Sequence, residues 1–207
     1  MKEERAKLSE AAGNVVDIYK RHALAFDRLR TRALFEKGWL DRFVDAMPHK
    51  PRILDIGCGM GEPIGTYLTE RGCRITGIDS SQAMLDLARN RFPDHRWLEA
   101  DMRTLSLGER FDGLIAWDSF FLLSPADQRG MFPIFAAHST QGAPLLFTTG
   151  PRAGEVISEF EDEPLYAASL ENQDYRILLS ETGFEVIEQR NEDPDCDYHT
   201  VWLVRRM

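Results

Sequence analysis

The sequence predicts a doubly wound α/β fold: a mostly parallel, seven-stranded sheet whose last strand runs antiparallel, preceded by an N-terminal helical cap. Three observations carry this expectation. From Arg52 onward, short apolar runs alternate with helix-like segments, the rhythm of a parallel sheet built from crossover units. The first apolar run, Ile53-Leu54-Asp55-Ile56, ends in the turn Gly57-Cys58-Gly59-Met60-Gly61, which leads into a helical segment. Finally, the last two runs are joined by only Asn191-Glu192-Asp193-Pro194-Asp195, too short for a crossover, so that pair is antiparallel.

Residues 1–13 are polar and are expected to fray. From Asn14, the positions Val15, Ile18, Tyr19, His22 and Phe26 follow helical spacing, and a second helix is expected to hold Leu34, Phe35, Trp39, Leu40, Phe43 and Val44, ending before Pro48. Both precede the first strand, so residues 1–50 are read as a cap added to a core of 51–207. Strands are expected at 52–56, 74–78, 95–100, 111–117, 144–149, 184–190 and 198–205. Pro63 opens the first core helix and Gly72 closes it, the usual proline-in, glycine-out asymmetry. Ser80 or Ser81 caps the next helix, and Ser124-Pro125-Ala126-Asp127 has the form of a capping box. Residues from about 151 to 170 fit neither period, are rich in acid and contain Pro164; they are expected to be an insertion after a strand's carboxyl end, where open α/β sheets place ligands.

The whole chain bounds its function more loosely. Its 207 residues suit one domain, and a net charge of −9 argues against sequence-independent binding of nucleic acid. No apolar run approaches the ~18 residues of a membrane span, so neither membrane nor nucleic acid is an expected partner. Cys58, Cys73 and Cys196 are widely spaced and read as free thiols of a cytoplasmic protein, with no metal site expected.

The glycine turn carries the chemistry. It lets the backbone approach a ligand at a helix start, and about twenty residues on stands Asp79, at the end of a second apolar run. An acid at that point can accept both hydroxyls of a ribose. The dinucleotide fingerprint fails, because its third glycine position is Glu62, and no Gly-Lys-Ser/Thr of a P-loop occurs. A negative Glu62 suits a positively charged ligand without phosphate.

The stretch ILDIGCGMGEP followed by GIDSS resembles the first two motifs of the class I S-adenosylmethionine-dependent methyltransferases. The resemblance extends over roughly residues 50–205 and implies a Rossmann-like sheet with S-adenosylmethionine as cofactor. It implies that Asp55, Gly57, Cys58 and Gly59 hold the methionine end and that Asp79 and Ser80 hold the ribose. Asp101 and Met102 would flank the adenine, and Met84 is also expected to touch the cofactor. Trp117 and Asp118 would flank the amino-acid portion and face the substrate. Tyr19, on an N-terminal helix of the kind that closes such sites, would reach the cofactor. The implied reaction is methyl transfer to an oxygen or nitrogen of a small molecule. The His found after strand four in many small-molecule members is replaced by Phe120-Phe121-Leu122-Leu123, and the Asn/Asp-Pro-Pro-Tyr signature of amino-group methylation is absent. His22, Tyr166 and His199 are the candidate bases. Two alternatives remain open: an NAD-dependent oxidoreductase, and a non-catalytic protein that binds S-adenosylmethionine. Segments 14–47 and 151–170 are expected to form a lid, with Tyr19, Phe121 and Tyr166 lining a mostly aromatic pocket.

Overall fold

The structure is a computed structural model in which residues 2–207 are described. Among them, the chain runs α1 (Lys2–Arg21), α2 (Ala23–Leu29), α3 (Lys37–Asp45), β1 (Arg52–Ile56), α4 (Ile64–Glu70), β2 (Arg74–Asp79), α5 (Gln82–Arg91), β3 (Arg96–Glu99), β4 (Gly113–Ala116), α6 (Pro125–His138) and β5 (Pro144–Thr149). It continues through β6 (Gly154–Phe160), β7 (Glu163–Ser169), α7 (Asn172–Glu181), β8 (Phe184–Asp193) and β9 (His199–Arg206). Seven strands form one sheet in the order β3-β2-β1-β4-β5-β9-β8, with β9 antiparallel to both of its neighbours and the rest parallel. No helix among the described residues is long and apolar enough to cross a membrane.

The central strands are buried along nearly their whole length because helices cover both faces of the sheet. Successive side chains alternate between two cores: Ile53, Ile75 and Ile115 face α3 and α4, while Leu54, Ile78 and Leu114 face the aromatic core of Phe120, Phe132, Phe147 and Trp202. Strand order reverses between β1 and β4. The crevice outside their carboxyl ends is therefore where this topology leaves room for a ligand.

Three expectations are corrected. Residues 2–13 belong to α1 and are helical, while residue 1 lies outside the described residues; Ala11 and Val15 pack on Tyr166 and Ala168. The single helix expected through Phe26 is interrupted at His22, which starts α2 without a side-chain cap. Nor is the N-terminal segment wholly an addition, because α3 buries Trp39, Leu40 and Phe43 against the sheet, and the Trp39 indole N–H donates to Asp193 at 2.8 Å. A cap boundary at residue 50 therefore cuts through one packing layer.

The segment read as an aperiodic insertion is a hairpin, β6–β7, closed by Glu161 and Asp162, both at positive φ (51° and 61°). Its tip meets α1. Phe160 stacks on Tyr19 at 6.0 Å, and Glu163 pairs with Arg21 and with His22, the latter at 2.6 Å.

Gly77 in β2 marks where the fold is tightest beside the crevice. A Cβ there would lie 2.3 Å from the Trp97 ring and 2.8 Å from Cys58 Sγ. We expect Gly77→Ala to destabilise the protein by about 1–3 kcal/mol through overpacking. An unchanged urea midpoint would contradict this packing.

Candidate functional site

The crevice is a cavity of about 370 Å³, within the range of small-molecule sites. Its floor is the glycine turn. Ile78 C=O accepts from both Gly57 N (2.8 Å) and Cys58 N (3.0 Å), and Asp79 Oδ2 accepts from Gly59 N (2.9 Å). The turn's amides are thus held by the end of β2 rather than left free for a ligand. What the turn offers instead is close approach: Gly59, at φ 53°, has nothing within 4 Å of the place a Cβ would occupy. Gly57 differs, since a Cβ there would lie 2.4 Å from Ser119 Cβ, and Ser119 is pinned by its hydroxyl donating to Ile56 C=O at 2.7 Å.

Around this floor the structure gathers Asp55, Cys58, Asp79, Ser80 and Met84 on one side and Trp117 and Asp118 on the other. Asp101 and Met102 line one end, and Tyr19, Phe26 and Arg30 from the N-terminal helices form the roof. Asp79 accepts a second amide bond, from Ser81 N at 2.8 Å, and burial raises its pKa. Asp55 is 5% exposed, with burial and then the Asp79 charge pushing its pKa up to about 7. Neither acid has a cationic side chain bonded to it among the described residues.

Other acids of the cleft are engaged. Asp101 caps the short turn Met102–Thr104 and is forked by Arg103, with Nη2 at 2.7 Å. Glu62, read from sequence as a charge for a cationic ligand, is paired with Arg32 at 2.8 Å inside a network with Asp27 and Arg91. Asp118, at φ 50°, receives Arg30 Nη1 at 2.9 Å and His199 Nε2 at 3.0 Å. Burial opposes its charge, but those two cations outweigh it, and its pKa is lowered.

The candidate bases do not line the cleft. His22 is held by Glu163 and Tyr166 is fully buried, donating to Glu155 at 2.6 Å. His199 lies behind Asp118, stacked between Phe35 and Trp117. The aromatic lining is Tyr19, Phe26 and Trp117; Phe121 and Tyr166 do not reach the cleft, and α1 and α2 cover it while the hairpin stands behind α1. Sequence reasoning missed Arg30, Phe26 and Ser119, which carry no local motif.

A profile described as a methyltransferase domain matches residues 53–142. Residues 53–142 are a methyltransferase domain, set on the sheet order of the class I S-adenosylmethionine-dependent methyltransferases. It is 36% identical over 99 residues to a Bacillus subtilis protein carrying a provisional methyltransferase name, YqeM, covering 46% of this chain and 38% of that one. It is 30% identical over 149 residues to the O-methyltransferase rstn1 of Aspergillus nomiae, covering 66% and 65%. The matched stretches thus span from just over a third to nearly two thirds of these relatives' lengths. In fold it is similar to CalS10, an amino pentose methyltransferase from Micromonospora echinaspora solved with S-adenosylmethionine, at a TM-score of 0.70 and 20% identity over 90% of this chain and 96% of that one.

Two outcomes test the site as built. Gly57→Val should be lost to misfolding or destabilised by more than about 3 kcal/mol, because both φ and Ser119 oppose a side chain. Gly59→Ala should cost only about 1–2 kcal/mol, the penalty for a left-handed residue. Equal denaturation midpoints for the two would refute the assigned roles.

Asp55 has the pH signature of a raised carboxyl. The folded form keeps its proton up to about 7, whereas the unfolded chain releases it near 3.8, so the residue's contribution to stability falls as pH rises across that window. Asp55→Asn should therefore gain stability relative to the parent between pH 4 and 7. Parallel curves would show that Asp55 is not buried as described.

Proposed function

We propose that the chain binds S-adenosylmethionine in this cleft and transfers its methyl group to an oxygen or nitrogen of a small molecule. The observation that carries the reading is the pair Asp55 and Asp79, one buried and one half-buried carboxyl with no cationic side chain bonded to either among the described residues, in a cleft floored by the glycine turn. A ligand bearing an ammonium, a sulfonium and a ribose complements them; a pyrophosphate is repelled, which disfavours NAD.

On this reading Asp55 faces the ammonium, Gly59 leaves room for the methionine chain, and Asp79 accepts the ribose hydroxyls with the lone pairs not used by Gly59 and Ser81. Ser80 and Met84 flank the ribose. Met102 lies against the adenine, while Asp101, already forked by Arg103, can share only a remaining lone pair with its amine. The bound cofactor supplies an electrophilic methyl group on sulfur. The chain's own part is positioning, since the leaving sulfur needs no proton. Tyr19, with its pKa pushed up to about 12 by burial and then by Asp118 and Asp79, keeps its proton at neutral pH and acts as a hydrogen-bond donor toward the cleft.

Calorimetric titration with S-adenosylhomocysteine and with NADH tests the reading. Binding of the first and not the second is expected; the reverse sinks it. Asp79→Ala should weaken S-adenosylhomocysteine by about 1.5–3 kcal/mol, the range for a hydrogen bond to a charged group. Unchanged affinity would remove Asp79 from the ribose.

A further inference from the structure

The substrate side of the cleft holds an unusual balance of charge. His199 Nδ1 lies 2.9 Å from Cys196 C=O, and its Nε2 lies 3.0 Å from Asp118 Oδ1. Both partners only accept, so both ring nitrogens carry hydrogen and the imidazole is a cation. Burial opposes that charge, yet the bond and field of Asp118, then the carbonyls of Cys196 and Asp197, prevail and raise its pKa. Asp118 thus lies between two cations, His199 and Arg30.

Glu36 is the fourth member. It is fully buried, with Arg30 Nη2 3.8 Å away, and neither of its oxygens has a hydrogen-bond partner among the described residues. An unbonded carboxylate cannot remain charged in such a place without large cost. Its pKa is raised, by burial first, which favours the neutral form. Arg30 and His199 thus share one hydrogen-bonded carboxylate, Asp118. Of this group Arg30 and Asp118 line the cleft, and Arg30 Nη2 and Nε make no hydrogen bond among the described residues.

Among the described residues that line the cleft, none beside Arg30 and Asp118 is a free base: Tyr19 keeps its proton, both oxygens of Asp118 are bound by cations, and on the reading above Asp55 and Asp79 are taken by the cofactor. An alcohol would need to lose a proton before or during attack, and an amine is mostly protonated near neutral pH. A carboxylate arrives deprotonated and can be taken by the unbonded Nη2 and Nε of Arg30.

Resting on the methyl-transfer reading above, we propose that the acceptor is a small carboxylic acid, oriented by Arg30 and methylated on its carboxylate oxygen without a base. The oxygen lone pair forms the O–C bond as the C–S bond breaks, and that bond's electrons stay on sulfur. An anion and a sulfonium become a neutral methyl ester and a neutral thioether, and no proton moves.

The test titrates the full chain, loaded with S-adenosylhomocysteine, with acetate, succinate, phenylacetate and octanoate, each against its amide and its amine counterpart. At least one carboxylate should bind ten times more tightly than both counterparts. Arg30→Met should reduce that preference at least tenfold, and Arg30→Lys should restore part of it, which a purely structural role for Arg30 would not do. Equal binding across each set, a preferred amine, or no binding by any carboxylate overturns the proposal. With S-adenosylmethionine labelled in its methyl group, product from a preferred probe should release labelled methanol in alkali; label that survives alkali also overturns it. Should Arg30→Met fail to fold, the comparison of probes on the parent chain decides alone. Failure of the parent to take up S-adenosylhomocysteine at all would strike the methyl-transfer reading instead.

Discussion

The grip of β2's carboxyl end on the glycine turn is the constraint on which the rest of the site depends. Ile78 C=O takes two amides of the turn, and Asp79 takes a third with its side chain. Those three bonds hold Gly57 and Gly59 at φ values of 74° and 53°, a backbone region that a residue with a Cβ enters only at a cost. They also fix Asp79, whose other oxygen is tied to Ser81 N, the cap of α5. The recognition acid and the floor of the cleft are therefore one rigid unit. Ser119 completes it from β4's side by bonding to Ile56 C=O, so three adjacent parallel strands converge on one turn.

Much of this was legible in the sequence, because it rests on local patterns. Apolar runs bounded by turns located the sheet strands, and Ser124 was read correctly as a helix cap that accepts from Asp127 N. Where the reading failed, the cause was a partner far along the chain. Residues 2–13 look too polar to order, but only one side of α1 needs an apolar surface, and its partner is a hairpin about 150 residues later. That hairpin escaped notice because β6 is exposed at almost every position, so it shows no alternation, and because its turn uses Glu161-Asp162 in place of a glycine pair. Glu62 misled for the same reason: Arg32 and Arg91 neutralise it, and no local spacing announces them.

The N-terminal helices owe their place over the cleft to the hairpin. Tyr19 and Phe26 gather around Phe160, and Glu163 holds Arg21 and His22, so the end of α1 is fastened at a point just outside the cavity. This explains why two chemically plausible bases are structural. His22 is part of the fastening, and Tyr166 fills the seam between α1 and the hairpin with its hydroxyl turned to Glu155. Burial and that bond raise the Tyr166 pKa, which moves it further from base chemistry.

Toward the glycine turn the cleft has Asp55 and Asp79, with no cationic side chain bonded to them among the described residues, and at its other side two cations, Arg30 and His199, bonded to Asp118. Val15, Val16, Phe26 and Leu122 line the cleft alongside its charged groups and lower the polarity around them. In such a medium opposite charges are held more strongly than in water, yet each is dearer to desolvate. A reaction that joins an anion to a sulfonium removes both charges as it proceeds. On the carboxylate reading, the transition state is less charged than the bound reactants, so the cleft's charges assemble the pair and its apolar walls favour their combination. Arg30 would then act before the chemistry, by orientation, while Asp118, itself fixed by His199, holds its guanidinium in place.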